Sequence, residues 1–158
     1  MNAAIKPIPE GSRTVTPHLV VDGGEAALDF YVSAFGAVEE GRMLCPSTGK
    51  LMHGSLKLGD SKIMVCDEFP EMCGKSPATL GGTPVTIALY VEDIDAAFAH
   101  AVEAGATPIM PPADMFWGDR YGKLVDPYGH HWSMSTHIAD CTPAEMEANM
   151  EAMFAVAS

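Results

Sequence analysis

Three of the six histidines, His18, His53 and His137, stand in short stretches of alternating apolar and polar residues. An imidazole in such a place serves as a general base, because its ordinary pKa lies near neutrality. Three imidazoles together hold zinc, and Asp67 lies at the end of the hairpin that carries His53. The same rings serve equally as hydrogen-bond partners for neighbours or for an organic ligand. Ser135 and His137 are two residues apart, but no orienting acid accompanies them. A GxSxG elbow, a GxGxxG turn and a phosphate loop are all absent. The second chemical cluster is Pro111 to Gly122, where two prolines introduce Phe116, Trp117, Asp119 and Arg120. Adjacent aromatics beside an arginine make a wall for a planar or anionic ligand. The alternative is that Phe116 and Trp117 fill core while Asp119 and Arg120 pair with each other.

Composition narrows the partners. Twenty-one acidic against nine basic residues give a formal charge of −12, which repels nucleic acid and anionic membranes and favours cationic partners. The longest apolar runs are far short of a membrane span, and Met1 to Glu10 shows no signal-peptide pattern, so the cytoplasm is the expected location. Cys45, Cys66, Cys73 and Cys141 form no CxxC pair, as free thiols in a reducing compartment would.

An internal repeat positions these residues. Val15 to Asp22 lies over Val85 to Glu92 at an offset of 85 − 15 = 70, and Ala27-Leu28 over Ala97-Phe98 at the same offset. Val85, Ile87, Leu89 and Val91 alternate as a half-buried strand should. A helix is expected over roughly Gly24–Phe35, with Gly36 as its C-cap, and a second from Asp93 as N-cap to Gly105. Three further strands follow each helix: Ala37–Leu44, Leu51–Leu58 and Ser61–Cys66, then Thr107–Met110, Tyr121–Val125 and His131–Thr136. Gly59-Asp60 and Asp126-Pro127-Tyr128-Gly129 supply turns. Glu68 to Pro84 is rich in Gly, Pro, Ser and Thr and reads as a linker. Thr142-Pro143-Ala144-Glu145 is a capping box that opens a tail helix. Its Met146, Met150, Met153 and Phe154 stripe either packs on its own domain or meets a second copy. The expected divisions are an extension 1–13, a first module 14–67, a linker 68–84, a second module 85–137 and a C-terminal helix 138–158.

Repeated βαβββ modules, the DPxG turn, and the stretches Met52-His53-Gly54, Asp67-Glu68-Phe69-Pro70, Ser76 to Pro84 and Ala113 to Lys123 resemble the glyoxalase / bleomycin-resistance / extradiol-dioxygenase (vicinal oxygen chelate) superfamily, in its PhnB-like branch. The likeness spans about residues 14 to 140. It implies an α+β fold: two βαβββ modules whose curved mixed sheets enclose a cup-shaped pocket, each helix covering the outer side. Strand parity then places Thr16, His18, Val20, His53, Ser55, Lys57, Met64 and Cys66 on the cup face of the first module. In the second it places Thr86, Ala88, Tyr90, His131, Ser133, Ser135 and His137 there.

Metal-dependent members carry their ligands on the first and last strand of each module. Those positions fall here at Thr16, Met64, Thr86 and Ser133, none a ligand for a hard cation. No metal or other cofactor is expected, and an unusual site would draw on His18, His53 and His137. The resemblance implies a glyoxalase-like protein that binds, and in the bleomycin-resistance manner sequesters, a small cationic or aromatic compound. The alternative is a lyase-, isomerase- or methyltransferase-like enzyme. His53 and His137 are the candidate catalytic bases. His18, Lys57, Tyr90, Phe116, Trp117, Arg120, Ser133 and Ser135 are the candidate ligand-binding residues. A homodimer is expected, with neither nucleic acid nor membrane as partner.

Overall fold

The computed structural model describes residues 5–69 and 71–155. Pro70 of the Asp67–Pro70 motif, residues 1–4 of the extension and residues 156–158 of the tail lie outside the described residues. The chain forms two compact units that divide between Gly82 and Thr83. The first holds β1 (His18–Val21), α1 (Gly24–Phe35), β2 (Val38–Leu44), β3 (Leu51–Leu58), β4 (Ser61–Asp67) and α2 (Pro77–Leu80). The second holds β5 (Thr86–Tyr90), α3 (Ile94–Glu103), β6 (Thr107–Asp114), β7 (Asp119–Val125), β8 (His131–His137) and α4 (Pro143–Ala155). Each βαβββ module makes a four-stranded mixed sheet, in the orders β1-β4-β3-β2 and β5-β8-β7-β6. The expected α+β class with a C-terminal helix is what the chain adopts.

In the first unit α1 packs on one sheet face through Ala27, Leu28 and Tyr31, against Val21, Leu51, Leu56 and Val65, all fully buried. Gly54 faces the helix, where a Cβ would collide with Leu28, and this close approach turns the flanking His53 to the opposite face. At the start of β3 it is Leu51 that is fully buried, with Met52 only half-buried. A register shift between Met43 and Leu44 accompanies the change, so the expectation that Met52 faces the helix is not met. The α1 N-cap, Gly23, carries no side chain. Instead the Asp67 carboxylate accepts from the Gly23 and Gly24 amides at 2.9 and 2.8 Å, and from the Leu51 amide at 2.6 Å. That ties the end of β4 to the helix start, where negative charge is favoured.

In the second unit α3 covers Trp132, Met134 and Leu124, nearly or wholly buried beside Ile94 and Phe98. Asp93 caps α3 by accepting from the Ala96 amide at 3.1 Å. The Asp126 carboxylate shapes its own turn by accepting from the Tyr128 and His130 amides, each at 2.9 Å. Its other oxygen accepts from the Trp132 indole N–H at 2.9 Å.

Three elements differ from the sequence reading. β1 starts at His18, leaving Thr16 ahead of it, and the stretch read as a linker contains α2, capped by Ser76 with Pro77 at the first helical position. The Pro111–Gly122 stretch is a hairpin rather than a loop: β6 runs through both prolines to Asp114, and β7 begins at Asp119. β6 is an edge strand, where a missing proline N–H costs no ladder bond. The Thr142–Glu145 capping box forms as expected, with Glu145 accepting from the Thr142 amide at 2.8 Å. None of the α4 residues described is buried, so its methionine stripe fills no core of its own unit.

Candidate functional site

The second unit assembles a polar cluster on the sheet face turned away from α3. Register sets Ala88 beside Ser133 and Tyr90 beside Ser135, and across β7 sets Lys123 beside Ser133, Tyr121 beside Ser135 and Asp119 beside His137. At its centre is Asp119, buried although charged. One carboxylate oxygen takes the Tyr90 hydroxyl at 2.8 Å and the Trp117 indole N–H at 3.1 Å. The other meets Nδ1 of His137 at 2.8 Å. Burial pushes the Asp119 carboxyl up, but hydrogen bonds from His137, Tyr90 and Trp117 outweigh it and hold the group below the usual carboxylate range. The same bond to Asp119, with a second from Nε2 to Asp140 at 3.0 Å, raises the His137 imidazole above its ordinary value. His137 is therefore fixed in orientation, and its cationic form is favoured.

Aromatic rings adjoin this carboxylate. Trp117 stands edge-on to Phe116 at 4.9 Å and to Tyr121 at 5.5 Å between centroids. The turn that presents Phe116 and Trp117, Met115 to Gly118, is closed by the Gly118 amide on the Met115 carbonyl at 3.1 Å. Gly118 has φ of +96°, and a Cβ there would overlap the Ala139 carbonyl. The chain after β8 crosses this point, with the Ile138 and Ala139 amides both donating to the Gly118 carbonyl. That return places Asp140 against His137.

Tyr90, Trp117, Ser133, Ser135 and His137 thus share one neighbourhood, with Phe116 at its aromatic end. Arg120 does not join them. Being next to Asp119 on a strand, it points to the other face, where it pairs with Asp95 of α3 at 2.8 Å and Asp114 of β6 at 2.8 Å. The supposed Asp119–Arg120 pair does not form, for the same reason. Sequence reasoning gave Asp119 only a pairing with Arg120, and did not count Asp119, Tyr121 or Asp140 among the site residues. Strand parity applied to Asp119 would have found the first, whereas Asp140 needs the return of the chain across Gly118.

In the first unit the face away from α1 carries His18, Ser55 and Met64 in one row, with Lys57 and Lys62 in the next. Lys62 pairs with Glu40 at 2.8 Å. The His18 and His53 rings lie edge to face, 6.3 Å between centroids. Burial, and then the neighbouring His53, hold the His18 pKa below its ordinary value.

The positions to which the resemblance carries the metal ligands of metal-dependent members are Thr16, Met64, Thr86 and Ser133. Register sets His18, not Thr16, beside Met64, and sets Thr86 beside His131 and Ala88 beside Ser133. None of these three pairings supplies a carboxylate, so this donor set does not fit a hard divalent ion. Among the described residues no three His, Cys, Asp or Glu side chains gather as a metal site, and no helix is long and apolar enough to cross a membrane.

A family model described as the Glyoxalase/Bleomycin resistance protein/Dioxygenase superfamily matches residues 13–134. The uncharacterized protein Rv0887c of Mycobacterium tuberculosis is 48% identical over 139 residues, covering 86% of this chain and 81% of the relative. The crystal structure of TioX from Micromonospora sp. ML1 has a TM-score of 0.64 at 27% identity, covering 80% of this chain and 100% of TioX. The PhnB protein from Bacillus cereus shares the fold, with a TM-score of 0.57 at 20% identity over 78% of this chain and 99% of that one. From its two βαβββ modules and this family match, the chain belongs to the glyoxalase/bleomycin resistance protein/dioxygenase superfamily.

Proposed function

We propose that this protein binds a small planar aromatic compound, preferably a cation, on the open face of the second unit, that it does so without a resident divalent ion, and that it acts as a homodimer. The observation that carries the reading is the ledge of Phe116, Trp117 and Tyr121 beside the Asp119 carboxylate. Aromatic faces attract cations, and convergent polar groups beside an aromatic wall are the usual makings of a ligand site. The carboxylates of Asp119 and Asp140 and the overall charge of −12 favour the same sign of ligand. The absence of a carboxylate at Thr16, Met64, Thr86 and Ser133 supports binding without a divalent ion. Exposure of Met150, Met153 and Phe154 along α4 supports a second copy as partner.

The alternative, an enzyme with His137 as general base, has less support. Both ring nitrogens face carboxylates, and a base must be unprotonated and free to accept. Tryptophan fluorescence tests the reading, with an acridinium-type cation and a naphthalene sulfonate of similar size as probes. The cation should quench emission with a saturable curve that disappears in Trp117→Ala, whose folding is checked by circular dichroism. Equal binding of the anion, or quenching that survives Trp117→Ala, contradicts it.

A further inference from the structure

The polar face of the second unit continues past the Asp119 cluster. Register sets Lys123 of β7 beside Ser133 of β8, in a row flanked by Ala88 and Met110. Ser135 stands in the next row, toward Asp119. All three side chains point away from α3, because their strand neighbours Gly122, Trp132 and Met134 face it. Ser133 and Ser135 are only 4% and 7% exposed. Side chains so buried are normally paired. Yet among the described residues neither hydroxyl has a hydrogen-bond partner, and the half-buried Lys123 ammonium has neither a hydrogen bond nor an ion pair. No described side-chain oxygen is both sealed from solvent and unpaired, so the two hydroxyls reach the open face. Neither row carries an acidic residue on any of the four strands. By contrast Lys62, on the open face of the first unit, pairs with Glu40 at 2.8 Å.

We propose that Lys123, Ser133 and Ser135 form an oxyanion subsite for a carboxylate of the ligand, so that the compound bound is an aromatic zwitterion. This rests on the ledge as the seat of a cationic ring and adds a second charge to the same ligand. One ammonium and two hydroxyls supply only a single positive charge with several donors, which suits a carboxylate. A free anion is opposed by the formal charge of −12 and by the Asp119 carboxylate. The carboxylate therefore arrives on the molecule whose cation Asp119 attracts. Lys123 lies 123 − 119 = 4 residues beyond Asp119 on β7, about 13 Å along the strand at roughly 3.3 Å per residue. The ligand's two charges are thus set apart by a side chain or a ring system, and are not adjacent as in a simple α-amino acid.

Two probes test the subsite by tryptophan fluorescence: an acridinium ring bearing a pentanoate chain on its nitrogen, and the methyl ester of the same compound. The acid should bind the natural protein about tenfold more tightly than the ester, the worth of one charge-assisted contact. In Lys123→Met the ratio of the two affinities should fall to about one, and in Ser133→Ala and Ser135→Ala it should fall by about threefold. If acid and ester bind the natural protein equally while quenching still depends on Trp117, the subsite is overturned and the ledge stands. If neither compound binds, both fall. A ratio that survives Lys123→Met, in a variant shown by circular dichroism to be folded, overturns the subsite as well.

Discussion

Tyr90 and His137 hold opposite oxygens of one carboxylate, each at 2.8 Å from Asp119. They come from β5 and β8, neighbouring parallel strands, and meet through a residue of β7. The carboxylate orients both side chains, and its loss should be felt by each.

That relationship sets a pH dependence. The His137 pKa is raised, first by Asp119 and then by Asp140. Histidine ring-proton NMR should show His137 titrating above 6.5. Asp119→Asn should lower that value more than Asp140→Asn does. A raised folded-state pKa means that the ion pair's stabilisation is fully present below about 6.5 and is lost as pH rises through the folded value. The stability gap between the natural protein and Asp119→Asn should therefore narrow from pH 6 to pH 9 in urea unfolding. A gap that widens with pH would contradict this sign.

Gly118→Ala should destabilise the second unit by about 2 kcal/mol or more. A side chain at φ of +96° is strained, which costs about 1–3 kcal/mol, and its Cβ would also displace the Ala139 carbonyl. Moving that carbonyl moves Asp140 from His137, so the His137 pKa should fall in the same variant. Unchanged stability with an unchanged titration would remove the role given to the returning chain.

Much of the frame was legible in the sequence because its signals are local. The offset of 70 marked the two modules, and Gly36 and Asp93 marked helix ends with the conformations their residue types favour. Parity assigned Tyr90, Ser133, Ser135 and His137 to one face because a strand alternates without exception unless bulged. The Leu51–Met52 exchange came from such an irregularity, opposite the Met43–Leu44 shift. Arg120 was misjudged because the strand that carries it was expected to start only at Tyr121, which left Arg120 in a loop, and a loop has no parity. The Asp119 cluster joins residues up to 137 − 90 = 47 positions apart, a distance that no local pattern reports.

Arg120→Gln separates the two faces of β7. The guanidinium bridges Asp95 and Asp114 with partners mostly exposed, and such pairs contribute little, up to about 1 kcal/mol. The variant should unfold within about 1 kcal/mol of the natural protein and bind the acridinium probe as tightly. A tenfold loss of probe affinity at unchanged stability would return Arg120 to the ligand face.

Asp67 should be the most costly carboxylate to lose in the first unit. It accepts three backbone amides, those of Gly23, Gly24 and Leu51, and Gly24 and Leu51 are buried. Asp67→Asn keeps an oxygen for the two helix amides but turns an NH2 toward the Leu51 N–H, setting donor against donor. One buried amide left unpaired costs about 1–3 kcal/mol. Asp67→Ala abandons all three and removes the negative charge from the start of α1, itself worth about 0.3–1 kcal/mol. The order of stability should therefore be Asp above Asn above Ala, with Ala lower than the natural protein by about 3 kcal/mol or more. Hydrogen exchange gives the decisive reading. The Leu51 amide should lose protection in both variants, and the Gly24 amide chiefly in Ala. If Asn proves as stable as Asp, the Leu51 bond at 2.6 Å is not holding β3 to the helix start, and the role given to this residue fails.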